Sequence, residues 1–152
     1  MPIADVMPLR LVSVRPDESV QVAIARMLEE NVGSVAVVED GRLVGIFTER
    51  DVLRLAGDGQ AFAEIMVGTV MTRSLVTVGP DDDVLQVAQL MGSRRIRHVP
   101  VVQGEHPLGI VGIRDVLRTL VERAYERHDL DARDTARELL QRAPSGARIA
   151  DS

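Results

Sequence analysis

Two seven-residue segments hold the side chains of this chain best suited to chemistry. Gly45-Ile46-Phe47-Thr48-Glu49-Arg50-Asp51 and Gly109-Ile110-Val111-Gly112-Ile113-Arg114-Asp115 stand 64 positions apart. Each reads as an apolar strand running into the first turn of a helix. The first N–H groups of a helix have no partner within it and carry partial positive charge, so a phosphate is readily held there. Thr48 stands at that mouth with a hydroxyl to assist. Asp51 and Asp115 lie one turn in, where a carboxylate can accept hydrogen bonds from both hydroxyls of a ribose. The competing account is structural. Thr-x-x-Asp is close to a capping box, in which hydroxyl and carboxylate satisfy the helix's own N–H groups. In the second segment Gly112 replaces the hydroxyl while Asp115 remains, so capping explains Asp115 less well than Asp51. Spacing alone leaves both accounts open.

The basic run Ser93-Arg94-Arg95-Ile96-Arg97-His98 could meet a phosphorylated small molecule, or serve simply as a solvated helix end favourable to the helix dipole. The formal net charge of -5 opposes the broad positive surface that duplex DNA needs, so the charge balance weighs against nucleic acid as a partner. Phe47, Phe62 and Tyr125 are the only aromatic residues, which leaves aliphatic side chains to hold any base. The chain has no cysteine, and His98, His106 and His128 lack metal-ligand spacing. Neither a disulfide framework nor a metal site is expected, and the composition fits a reducing compartment. No nucleophile elbow, Walker loop or Ser/His/Asp grouping is found, so no enzymatic activity is expected. No apolar run approaches eighteen residues and the leading MPIADVMPLR lacks a signal-peptide pattern. The expectation is a cytoplasmic protein without a membrane partner.

The elements that must position these residues occur twice. A shift of 64 lays Val6-Met7 on Val70-Met71, Pro16-Asp17 on Pro80-Asp81, Val37-Val38 on Val101-Val102, and Arg50–Arg54 on Arg114–Arg118, without a gap. Each copy predicts strand, helix, strand, strand, helix. The first strands are Leu11–Val14 and Leu75–Val78. Ser19 and Asp83 cap the helices that follow, Asp83 with Gln86 in capping-box spacing. The buried stripes are Val20, Ile24, Met27 and Leu28, then Val84, Ala88 and Met91. Asp40-Gly41 and Gly104 mark hairpins between apolar strands, and strands so apolar are covered on both faces. Met7, Met27, Met71 and Met91 recur as core filler. Residues 57–69 connect the copies, with a helical turn around Phe62, Ile65 and Met66. Beyond Leu120 the last helix continues through Val121, Ala124 and Tyr125, a further helix is expected over 131–142, and a frayed tail follows from Ala143. Neither copy should bury its apolar face alone, and clefts between packed copies suit small ligands.

The duplicated Val-Met lead, the Pro-Asp turn, Val99-Pro100-Val101-Val102 and the Gly-hydrophobic-x-Thr-x-x-Asp segment together resemble a tandem pair of cystathionine-beta-synthase (CBS) domains, a Bateman module. The resemblance covers about residues 5–121. It implies an α/β fold with two CBS repeats packed about a pseudo-two-fold: repeat 1 over 5–57, a linker over 58–69, repeat 2 over 70–121, and a helical extension with a frayed tail over 122–152. It implies a non-catalytic regulatory module that takes an adenosine-containing ligand (AMP, ADP, ATP or S-adenosylmethionine) between its repeats and requires no cofactor. By the resemblance, Thr48 and Asp51 make one site and Asp115 the other. The base would lie along Ser13, Val14 and Val35, or along Thr77, Val78 and Pro100. Arg97 and His98 would reach the phosphate of the neighbouring repeat's site, which makes the Asp51 site the better equipped. A homodimer is expected, with an unidentified protein partner listening. A ligand-free scaffold or dimerisation module is the alternative, favoured by Gly112.

Overall fold

Residues 1–142 are described, by a computed structural model. Chain order is β1 (Ser13–Val14), α1 (Val20–Glu30), β2 (Ser34–Glu39), β3 (Arg42–Thr48), α2 (Glu49–Gly57), α3 (Val67–Val70), α4 (Val84–Arg94), β4 (His98–Gln103), β5 (His106–Gly112) and α5 (Ile113–Arg142), after a short 3-10 turn at Ile3–Asp5. The chain divides into two compact units, the second beginning at Leu117, within α5. Both sheets and every predicted site residue belong to the first unit.

The helices begin and end where local chemistry dictates. The Ser19 hydroxyl accepts from the Val22 N–H at 3.2 Å, and Asp83 accepts from the Leu85 N–H at 3.1 Å. Asp83 also accepts from the chain-terminal ammonium of Met1 at 3.1 Å, a partner that the capping-box spacing with Gln86 did not suggest. Asn31 and Arg95, 64 apart, close α1 and α4 in the left-handed conformation, with φ of 52° and 54°. Val20, Ala23 and Met27 are the buried face of α1, while Leu28, expected in that stripe, is 76% exposed. Asp40 and Gly41, both at positive φ, join β2 to β3 in a two-residue turn, and Gly104 serves the second hairpin. Both hairpins shift register at the matched places Val37/Val38 and Val101/Val102. The core of the first repeat gathers Val14, Val20, Val35, Val37, Phe47, Leu55 and Val67, with Phe62 and Ile65 of the connecting segment packed against it.

The two copies differ at their first strands, and one residue explains it. In the first copy Ser13–Val14 pairs in parallel with Ala36–Val37, and the Ala36 N–H donates to the Val12 carbonyl at 3.0 Å. Pro100 stands where Ala36 does and has no N–H to donate. The strand expected over 75–78 is therefore reduced to a bridge between Val78 and Val101. One sheet has three strands and the other two.

The leading segments are exchanged between repeats. Ile65 accepts from the Val20 N–H at 2.8 Å, and Met1 accepts from the Val84 N–H at 3.0 Å. The Val67 N–H donates to Glu18, and the Ile3 N–H donates to Asp82. Each pair of bonds repeats the other after a shift of 64, so each repeat's helix start is completed by the segment that leads into the other.

The helix expected over 131–142 is the continuation of α5, not a separate element. In the second unit Leu117, Val121 and Tyr125 are each more than half exposed. The tail expected from Ala143 lies outside the described residues.

Candidate functional site

Thr48 and Asp51 form a capping box at the start of α2. The Thr48 N–H donates to Asp51 Oδ2 at 2.9 Å and its hydroxyl reaches the same oxygen at 3.2 Å. Arg54 Nη2 takes the other oxygen at 3.0 Å. Asp51 is 4% exposed, and both its oxygens are engaged within two turns of its own helix. A ribose there would have to displace existing bonds.

The matched place at the start of α5 borders a cavity. The Gly112 N–H donates to Asp115 Oδ2 at 3.3 Å, so loss of the threonine hydroxyl does not end the capping role of the aspartate. Asp115 is only half-buried and faces a cavity of about 420 Å³, a size suited to a small ligand. Arg97, His98, Ile110 and Arg114 line it from the second repeat, and Val12, Gly33, Ser34 and Glu49 from the first. Pro8 and Arg10 complete the wall, Arg10 being paired with Glu30 at 3.0 Å. The cavity thus has an aliphatic side at Val12 and Ile110, a carboxylate at a helix start, and several cationic groups.

Why the hollow lies beside Asp115 and not beside Asp51 follows from one more proline. At the Asp51 side Ile46 and Thr72 exchange two backbone hydrogen bonds, at 3.1 and 2.9 Å, which seal the edge of β3. Position 8 is the counterpart of Thr72, and Pro8 has no N–H. Ile110 and Pro8 make no such exchange among the described residues, and both remain on the cavity wall.

The structure therefore brings Arg97, His98 and Asp115 together and leaves the other predicted residues elsewhere. Ser13 and Val14 line a second hollow of about 310 Å³ with Glu18, Arg26 and Asp40. The polar groups on its wall are engaged with one another: Arg26 donates to both Glu18 oxygens, at 2.7 and 2.8 Å, and to the Ser13 carbonyl at 2.8 Å. Val35 is fully buried, Pro100 and Val78 are buried in the strand layer, and Thr77 is exposed. Sequence reasoning missed Glu49, Ser34, Val12 and Arg10. The available signal was the exchange itself, since a cleft between repeats must draw its far wall from the other copy.

His98 is a half-buried titratable group on the cavity wall. Burial pushes its ring below the ordinary histidine range; Glu49 and Asp115 oppose that shift, while Arg97 and Arg114 add to it.

The comparisons with known proteins agree with this architecture. The CBS domain family matches residues 3–58 and 67–122. The CBS domain-containing protein CBSX3, mitochondrial, of Arabidopsis thaliana is 40% identical over 116 residues, 72% of this chain and 56% of its own length. The CBS domain-containing protein YhcV of Bacillus subtilis is 34% identical over 115 residues, 75% of this chain and 81% of its own. The CBS domain pair of protein MJ0100, solved with 5′-methylthioadenosine and S-adenosyl-L-methionine, superposes with a TM-score of 0.75 at 25% identity, over 81% of this chain and 98% of that one. The family match over both in-register repeats, whose exchanged leads make corresponding bonds at their helix starts, places this chain in the CBS domain family as a tandem pair.

Proposed function

We propose that this chain is a regulatory module that binds an adenosine-containing ligand, of the AMP, ADP, ATP or S-adenosylmethionine class, in the cavity beside Asp115, and has no catalysis of its own. The observation that carries the reading is the convergence, across the two repeats, of a helix-start carboxylate, Arg97 and His98, and the aliphatic pair Val12 and Ile110. In this reading Asp115 takes the ribose hydroxyls, Arg97 meets the phosphate or carboxylate of the ligand, and the base lies against Val12 and Ile110. A structural neighbour that holds 5′-methylthioadenosine and S-adenosyl-L-methionine supports the ligand class. Thr48 and Asp51 act as a cap, so one ligand per chain is expected. A ligand touching both repeats favours the arrangement in which its partners converge, and its effect on a listening protein is limited to its differential affinity for the two arrangements.

We also infer a homodimer, to which Leu53 of α2, 74% exposed, contributes. Among the described residues no helix is long and apolar enough to cross a membrane. Calorimetric titration with AMP, ADP, ATP, S-adenosylmethionine and 5′-methylthioadenosine tests the ligand reading. Saturable heat from at least one, with a stoichiometry near one per chain, is expected. Heat from none leaves a ligand-free scaffold. Light scattering after size exclusion tests the dimer, which Leu53→Asp should weaken.

A further inference from the structure

We propose that His98 is a proton-linked selector: its ring binds a proton as an anionic ligand group enters the cavity, so that the site separates phosphorylated from uncharged adenosine compounds. This rests on the adenosine-ligand reading above and adds to it a rule of selection.

The geometry comes from both repeats. The His98 ring lies at the seam between them, flanked by two glycines. A Cβ added to Gly33 would stand 3.1 Å from His98 Nε2, closer than a neighbour comfortably allows, and one added to Gly112 would stand 3.8 Å from Cδ2. The same Cβ on Gly33 would stand 3.2 Å from Glu49 Oε1. The imidazole of one repeat and the carboxylate of the other therefore crowd one point, where a Cβ would require a neighbour to give way. The positions matched to these glycines by the shift of 64 are Arg97 and Thr48, whose side chains would fill the space. The copies have diverged where this ring needs room: His98 pairs across the hairpin with Gly112, where its counterpart Ser34 pairs with Thr48.

The charged groups facing the ring are Glu49 at the start of α2, Arg97 beside it on the chain, and Arg114 and Asp115 in the first turn of α5; Arg10 stands on the same cavity wall. With burial and two arginines outweighing two carboxylates, the ring of the empty protein is mostly neutral at pH 7. A phosphate placed between Arg97 and Arg114 offsets the two charges that oppose protonation and supplies a third attraction. The ring then holds its proton to higher pH. By linkage, the anionic ligand binds more tightly as pH falls between the two ring values, whereas an uncharged nucleoside shows no such dependence.

The test follows the His98 ring directly by proton NMR of the full chain, its signal assigned by loss in His98→Gln. Saturation with AMP should raise the ring pKa by about one unit, a tenfold coupling, and 5′-methylthioadenosine should leave it unmoved. Glu49→Gln should lower it in the free protein. The ratio of wild-type to His98→Gln affinity for AMP, which cancels the titration of AMP itself, should grow as pH falls through the two ring values, nearing tenfold only below the lower of them, and shrink towards one at pH 8. A ring pKa that stays put in protein shown by calorimetry to be saturated with AMP overturns the selector and leaves the adenosine reading standing. An unchanged ring in Glu49→Gln overturns the seam geometry on which the selector depends. Failure of AMP and 5′-methylthioadenosine alike to bind overturns the adenosine reading and the selector with it.

Discussion

Asp51 and Asp115 occupy the same place in the same motif and do different work. Asp51 holds the Thr48 N–H, the Thr48 hydroxyl and Arg54, so its first duty is to the helix. Asp51→Ala should cost about 1–2 kcal/mol of folding stability, the usual loss for an N-terminal cap with an added ion pair, in urea titration, with adenosine-ligand affinity unchanged. Asp115→Ala loses its own cap bond to the Gly112 N–H and should in addition lower affinity for AMP by about 1–3 kcal/mol in calorimetry, as expected for lost hydrogen bonds to a charged acceptor. Glu18 is a second residue with a readable charge. The fork of Arg26 holds its carboxyl below the ordinary 4.5, with the Arg15 N–H assisting against the cost of burial. A lowered carboxylate stabilises the fold above the ordinary value and loses that contribution as pH falls through its folded value. Glu18→Gln should therefore cost roughly 1 kcal/mol at pH 7, the partly exposed arginine limiting the effect. The gap should close in denaturation series taken below the ordinary carboxylate value.

Among the elements, two prolines set the asymmetry of an otherwise repeated fold. Pro100 removes the donor that Ala36 uses and shortens the second sheet. Pro8 removes the donor that Thr72 uses to seal the edge of β3, and the corresponding edge of β5 stays open beside Asp115. Pro8→Thr restores the missing N–H. It should raise the melting temperature through an added pair of backbone bonds and weaken AMP binding by narrowing the wall, read by calorimetry and scanning fluorimetry on the same samples. A rise in stability with affinity untouched would mean that the Pro8 edge does not shape the site. Gly45 and Gly109, on the strands facing these leads, allow close approach. A Cβ on Gly45 would lie 3.0 Å from the Thr72 carbonyl, and one on Gly109 3.5 Å from that of Pro8, so the gap is wider on the open side.

For the first unit as a whole, the exchange of leading segments ties each repeat to the other. Ile3 is fully buried, yet its backbone is bonded to Asp82 of the other copy. Ile3→Ala should cost about 2–5 kcal/mol, as for other large-to-small changes in a core. Far-ultraviolet dichroism and a His98 ring signal should report one shared unfolding transition in that variant, since the lost packing joins both repeats. Two separated transitions would show that the copies fold independently.

The repeat, its order of elements, the caps at Ser19 and Asp83, the hairpin turn at Asp40-Gly41 and the basic pair Arg97-His98 were legible in the chain, because each depends on neighbours a few residues away or on self-similarity. The capping box at Thr48 and Asp51 was legible as one of two accounts. What the chain could not show was which wall each cleft borrows from the other copy. Glu49 facing His98, Gly33 clearing room for an imidazole 65 positions away, and Pro8 leaving an edge open beside Ile110 are contacts between segments far apart in sequence. Local periodicity carries no information about such pairs. Only the packing of one repeat against its twin decides them, because the backbone of the opposite half either closes each slot, as Thr72 does, or leaves it open, as Pro8 does.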